Sequence, residues 1–204
     1  MQKKAALAFS LFSCLVLPVA LVVWLCHGAV GFYTVSARPA LEKTAESRSF
    51  DLDRDGQPEC YDLRKGRLTI TGQGRITWQS PAEWRVTAFA LGDANNDGID
   101  DLNLVLWKKG SFGRDKPFWV TGSDEDVKNH LFIYDLAHGS LKPVWLSSNL
   151  DAPILELSIE DVDGDGKNEL LVVEGDYTSP SRQKTVWQWN GWGFTLTGSP
   201  CTAW

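Results

Sequence analysis

The stretch "DVDGDGKNELLVVEG", Asp161 to Gly175, decides the fold. Acidic residues stand two apart at Asp161, Asp163 and Asp165, Gly166 follows, and Glu169 comes three positions later. A short apolar run rich in valine begins at once, and such a run favours a strand over a helix. The same device occurs twice earlier, as "DLDRDGQPE" from Asp51 to Glu59 and "DANNDGIDD" from Asp93 to Asp101. Each copy reads D-x-[DN]-x-D-G-x-x-[DE]. Each follows a short alternating segment ("SRSF", "VTAFAL", "ILELSI") and precedes a strand-like one ("CYDLRKGRLTI", "LNLVLW", "LLVVEG"). Self-similarity of this kind is the mark of a repeat architecture.

The spacing suits a hard cation. Calcium takes six to eight oxygens at about 2.3–2.6 Å. A tight loop can aim the side chains of positions 1, 3 and 5 at one point, add the carbonyl of position 7, and close the cage with a carboxylate at position 9. Glycine at position 6 supplies a backbone conformation that a side chain would penalise. The expected Ca2+ ligands are therefore Asp51, Asp53, Asp55, the Gln57 carbonyl and Glu59 in the first loop. In the second they are Asp93, Asn95, Asp97, the Ile99 carbonyl and Asp101. In the third they are Asp161, Asp163, Asp165, the Lys167 carbonyl and Glu169. The second loop carries one formal ligand charge fewer and is expected to bind most weakly, although Asp100 lies next to it. An EF-hand is excluded, because position 12 is Asp62, Leu104 or Val172 and the flanks are strands. Bare Asp/Asn/Gly turns are the competing reading, but close like charges repel by several kcal/mol at low effective dielectric.

The pattern of strand, acidic loop and strand resembles the FG-GAP or VCBS repeats of integrin α-chain propellers and many bacterial surface proteins, over roughly residues 46–200. The resemblance implies an all-β, propeller-like array of about three four-stranded repeat units, with the loop joining the first two strands of each. The units fall at 46–82, 84–148 and 153–198. The second is lengthened by an insert, "KKGSFGRDKPFWVTGSDEDVKN", between its second and third strands. In the third, Asn190-Gly191 reads as a two-residue hairpin turn, which pairs Trp189 with Trp192 and Trp187 with Phe194. These rings are expected to pack against a neighbouring blade. Three units are fewer than propellers usually have, which leaves open a small array or an open stack completed by a partner.

Residues 1–31 differ from the rest. Lys3 and Lys4 precede Ala5 to Cys26, which carries no charge. A membrane-crossing helix needs about 20 such residues and a signal-peptide core about 7–15. The length favours an uncleaved signal-anchor over a cleaved secretion signal ending near Ala37. The lysines stay cytoplasmic by the positive-inside tendency, residues 32–45 form a stalk, and the repeat domain is extracytoplasmic. The net charge of −6 and the lack of a basic run give no support to a nucleic-acid partner. Cys60 and Cys201 are candidates for a disulfide in an oxidising compartment, with a buried and a loose thiol as the alternative.

Nothing in the chain reads as a catalytic constellation. His27, His130 and His138 are scattered, and His130 is expected to be structural. The carboxylates are committed to metal cages, and no enzyme activity is expected. The expected role is a membrane-tethered calcium-binding module acting in binding, adhesion or scaffolding. The alternative is a cell-envelope glycan or polymer binder using Phe118, Trp119, Trp187, Trp189 and Trp192. Partners are then a protein or a cell-envelope polymer, and the membrane through the N-terminal helix.

Overall fold

Short alternating segments separated by glycine-rich turns become strands throughout the computed structural model, which describes residues 45–112, 118–119, 121–122 and 124–198. The first sheet contains β1 (Ala45–Phe50), β2 (Glu59–Arg64), β3 (Arg67–Gly72) and β4 (Arg75–Gln79). The second contains β5 (Arg85–Gly92), β6 (Asp101–Lys109), β7 (Val127–Ala137) and β8 (Ser140–Leu146). The third contains β9 (Ile154–Glu160), β10 (Glu169–Glu174), β11 (Gln183–Trp189) and β12 (Phe194–Gly198). Within each sheet the strands lie in sequence order and pair antiparallel. Each acidic loop joins the first two strands of its sheet.

The second sheet is the middle layer, and its burial explains why "LNLVLW" is almost wholly apolar. Leu102, Leu104 and Leu106 enter a core with Tyr61, Leu68 and Ile70 of the first sheet. Val105, on the opposite face of β6, enters a second core with Leu131, Ile154, Leu170 and Val172. Residues one apart on a strand point to opposite faces, so a strand covered on both sides needs apolar residues at consecutive positions. Fully burying each such side chain contributes about 1.5–3 kcal/mol. The array is not closed: both cores are built against the second sheet.

The last hairpin differs from its expected register. Trp189 pairs with Phe194 and Trp187 with Leu196, so the connection is the four residues 190–193 rather than Asn-Gly alone. The Asn190 N–H donates to the Gly193 carbonyl at 2.9 Å, closing this wider loop. The Asn190 amide also donates to Thr195 Oγ1 at 2.6 Å. Packing is the physical reason for the shift. It sets Phe194 and Trp189 together, 5.1 Å between ring centres, with Trp145 of β8 at 5.6 and 5.8 Å from them. These edge-on contacts tie the third sheet to the second, as expected for the aromatic face, while Trp192 is released to solvent.

His130 is fully buried in β7, with Nδ1 3.3 Å from the Ser147 carbonyl and Nε2 3.1 Å from that of Gly110. Burial, then the nearby Lys108 ammonium, hold its pKa below the ordinary histidine value. The unfolded chain therefore binds this proton more readily than the folded one. The stability that His130 contributes is present above about pH 6.5 and is lost as pH falls below it. In metal-free buffer the melting-temperature difference between the unsubstituted protein and His130→Gln is expected to move in favour of His130→Gln as pH falls from about 7 to 5, because groups other than His130 titrate alike in both. Parallel profiles for the two proteins would remove His130 from the acid response.

Among the described residues no helix is long and apolar enough to cross a membrane. The expected anchor, the stalk up to residue 44 and Cys201 lie outside the described residues. Cys60 is exposed, with its sulfur 3.6 Å from Ser47 Oγ.

Candidate metal sites

The three acidic loops adopt one backbone design. In each, the carboxylate at position 1 accepts the N–H of the position-6 glycine: Gly56 to Asp51 at 2.9 Å, Gly98 to Asp93 at 2.8 Å and Gly166 to Asp161 at 3.0 Å. The position-3 oxygen accepts from position 5, and the position-5 carboxylate from position 7. The glycines have φ of +88°, +87° and +85°, and a Cβ there would meet nothing within 4 Å. Their necessity is thus conformational rather than spatial. Position 4 is also left-handed, with φ of 57° at Arg54, 58° at Asn96 and 76° at Gly164. The tolerance of asparagine and glycine for that region was a usable sequence signal in two of the three copies, whereas arginine offers none.

In the first and third loops the position-1, -3 and -9 carboxylates converge. One oxygen from each of Asp51, Asp53 and Glu59 lies within 4.8 Å of the others, and the same holds for Asp161, Asp163 and Glu169. Two acidic triads can therefore hold a metal ion. Asp55 and Asp165 stand outside these triads, each turned to its own loop through the N–H of Gln57 or Lys167 at 2.8 Å. The position-9 glutamates are buried where β2 and β10 begin. Glu59 accepts from the Leu52 N–H at 3.2 Å and the Tyr61 hydroxyl at 3.4 Å. Glu169 accepts from the Val162 N–H at 3.0 Å. Burial raises the Glu59 pKa, and Asp53 adds to the rise. A bound cation would reverse both effects, because it rewards the charged form.

The second loop is built differently at its centre. Asn95 replaces the position-3 aspartate, and its Nδ2 donates to Asp97 Oδ2 at 3.0 Å and Asp101 Oδ2 at 3.2 Å. The amide thus bridges the two carboxylates that a cation would otherwise join. Asp101 is buried, and its Oδ1 has no hydrogen-bond partner. Burial first, then Asp97, Asp135 and Asp93, push its pKa up to about 7.

The loops lie side by side, which the sequence did not disclose. Arg54 of the first donates to the Gly98 carbonyl at 3.1 Å and meets Asp100 Oδ2 at 3.3 Å. Both side chains of that pair are solvent-exposed in part, so the ion pair contributes little by itself. The second and third loops are joined more tightly. The Asn168 N–H donates to Asn96 Oδ1 at 2.6 Å, the Asn96 amide to the Asn168 carbonyl at 3.0 Å, and the Asn168 amide to the Asp93 carbonyl at 2.8 Å.

The candidate stacking rings have separate fates. Trp187 and Trp189 are half-buried between sheets, while Trp192, Phe118 and Trp119 are exposed. No family model matches the chain, and no curated protein or solved structure matches it.

Proposed function

We propose that the chain is a calcium-binding β-repeat module of the FG-GAP/VCBS type, tethered to the membrane by residues 1–31 and acting outside the cell in binding, adhesion or scaffolding. The convergence of three carboxylates in each of two loops carries this reading. The donors are all oxygen, which suits calcium over softer metals. The donor sets also suit it in charge, since each triad brings three carboxylates together without a basic partner inside it. Calcium at Asp51, Asp53 and Glu59, and at Asp161, Asp163 and Glu169, supplies positive charge to loops in which four acidic residues face a single basic one, Arg54 or Lys167. Asp55 and Asp165, and the carbonyls of Gln57 and Lys167, complete the cages. External calcium at about millimolar levels fills sites with dissociation constants of about 0.1–1 mM.

Calorimetric titration of the full chain with calcium is expected to give two sites. Glu59→Gln and Glu169→Gln are each expected to remove one of them. Titration with no heat and no saturation would refute the reading.

The second loop provides an independent check. Asn95→Asp removes the bridging amide and restores the charge pattern of the other two copies. It is expected to raise the number of bound calcium ions from two to three and to lower stability in chelator, because Asp97 and Asp101 lose their shared donor. An unchanged stoichiometry would mean that the amide does not set the weakness of this loop.

The cell-envelope polymer reading rests on a different observation, the exposure of Phe118 at 91%, Trp119 at 69% and Trp192 at 80%. Sedimentation with purified envelope polymer, and its loss in Trp119→Ala, would favour this role.

A further inference from the structure

We propose that the cleft between the second and third sheets is a binding site for a small organic cation with an apolar body, an alkyl- or arylammonium. A cavity of about 520 Å³ opens there, within the size range of small-ligand sites. Four aromatic rings line it: Trp145 of β8, Trp187 of β11, Trp192 of the 190–193 loop and Phe194 of β12. Two carboxylates, Asp151 and Glu174, line it as well, and none of the described lining residues is basic. Carboxylates together with indole rings in one cavity are the combination that recognises ammonium groups, through ion pairing and through the ring quadrupole.

Glu174 is the central observation. It is only 6% exposed, and a carboxylate oxygen accepts from the Gln183 amide at 3.0 Å. That partner is a neutral amide, so an ammonium in the cavity would add a charge-assisted hydrogen bond that the Gln183 contact does not supply. A neutral sugar would use the rings and could donate hydroxyls to the carboxylates, but it would form no ion pair with them.

The walls are fixed in advance, which lowers the ordering cost of binding. The 147–153 connection is pinned by fully buried Asn129. Its carbonyl accepts from the Leu150 N–H at 2.9 Å, and its side-chain oxygen from the Ile154 N–H at 2.9 Å. The Tyr177 hydroxyl donates to the Leu150 carbonyl at 2.9 Å. Trp145 is held by its contacts with Trp189 and Phe194. Trp192 lines the cavity while remaining 80% exposed. No residue from 161 to 169 lines the cavity, so this site is independent of the metal reading.

The test titrates the full chain, in calcium-containing buffer, with choline, benzyltrimethylammonium and the neutral choline isostere 3,3-dimethylbutan-1-ol, by calorimetry and tryptophan fluorescence. Both cations are expected to bind, with choline at least about tenfold tighter than its isostere. Trp192→Ala is expected to weaken the cations about tenfold with an unchanged melting temperature, because that ring is exposed. Glu174→Gln is expected to reduce the preference of choline over the isostere. Equal affinity for choline and its isostere, cation affinity unchanged in Trp192→Ala, or no cation binding up to about 10 mM would overturn the proposal. Saturable binding of a neutral oligosaccharide without any response to the cations would overturn it in favour of a glycan site.

Discussion

Removing calcium is expected to lower the melting temperature of the full chain by about 10–20 °C relative to calcium at about one hundred times the dissociation constant. A ligand at that excess stabilises the folded state by about 2.7 kcal/mol per site when the unfolded chain does not bind it. Two sites of the kind formed by Asp51, Asp53 and Glu59, and by Asp161, Asp163 and Glu169, therefore contribute about 5 kcal/mol. Each kcal/mol moves the midpoint of a domain of this size by about 2–4 °C. Glu169→Gln should reduce the calcium-dependent shift by about half, and the double variant with Glu59→Gln should abolish it. Magnesium at the same concentration should substitute poorly, since it demands a smaller, near-octahedral shell. A midpoint that ignores chelator would remove metal binding from the account of this fold.

Phe132→Ala is expected to destabilise the domain by about 3–5 kcal/mol in urea unfolding at saturating calcium, with the slope unchanged. The ring is 2% exposed in β7 and meets Trp84 at 5.4 Å, His130 at 5.5 Å and Tyr134 at 6.4 Å between ring centres. Removing it leaves a cavity in the core that joins the first sheet to the second, and edge-on ring contacts are lost in addition to burial. Domains are typically stable by about 5–15 kcal/mol, so this change takes a large share. Trp192→Ala is the matched control: it removes a larger ring from an exposed loop and should cost less than about 0.5 kcal/mol. A cost for Phe132→Ala below about 1 kcal/mol would mean that the core tolerates the void, against the packing described.

Much of the site was legible because its information is local. A loop of nine residues sets its own ligand spacing, and glycine at position 6 records a backbone angle directly. The loops at Asp51, Asp93 and Asp161 and the four strands around each follow from that spacing and from alternation over a few residues. The weakness expected of the second loop came from the charge count, but its structural form did not. The donation from Asn95 to Asp97 and Asp101 depends on which way an amide turns inside a folded loop.

By itself the sequence determined three all-β units, the acidic residues that end their first turns, and the strand-like runs that follow them. Tertiary structure alone decided that the second sheet would be the middle layer, that Arg54, Asn96 and Asn168 would link the loops, and that the last hairpin would widen to four residues. These depend on contacts between residues far apart in the chain, whose energies no local spacing encodes. The register around Trp189 shows the balance: the Asn-Gly turn preference is local and small, and the packing of Trp189 and Phe194 against Trp145 outweighs it.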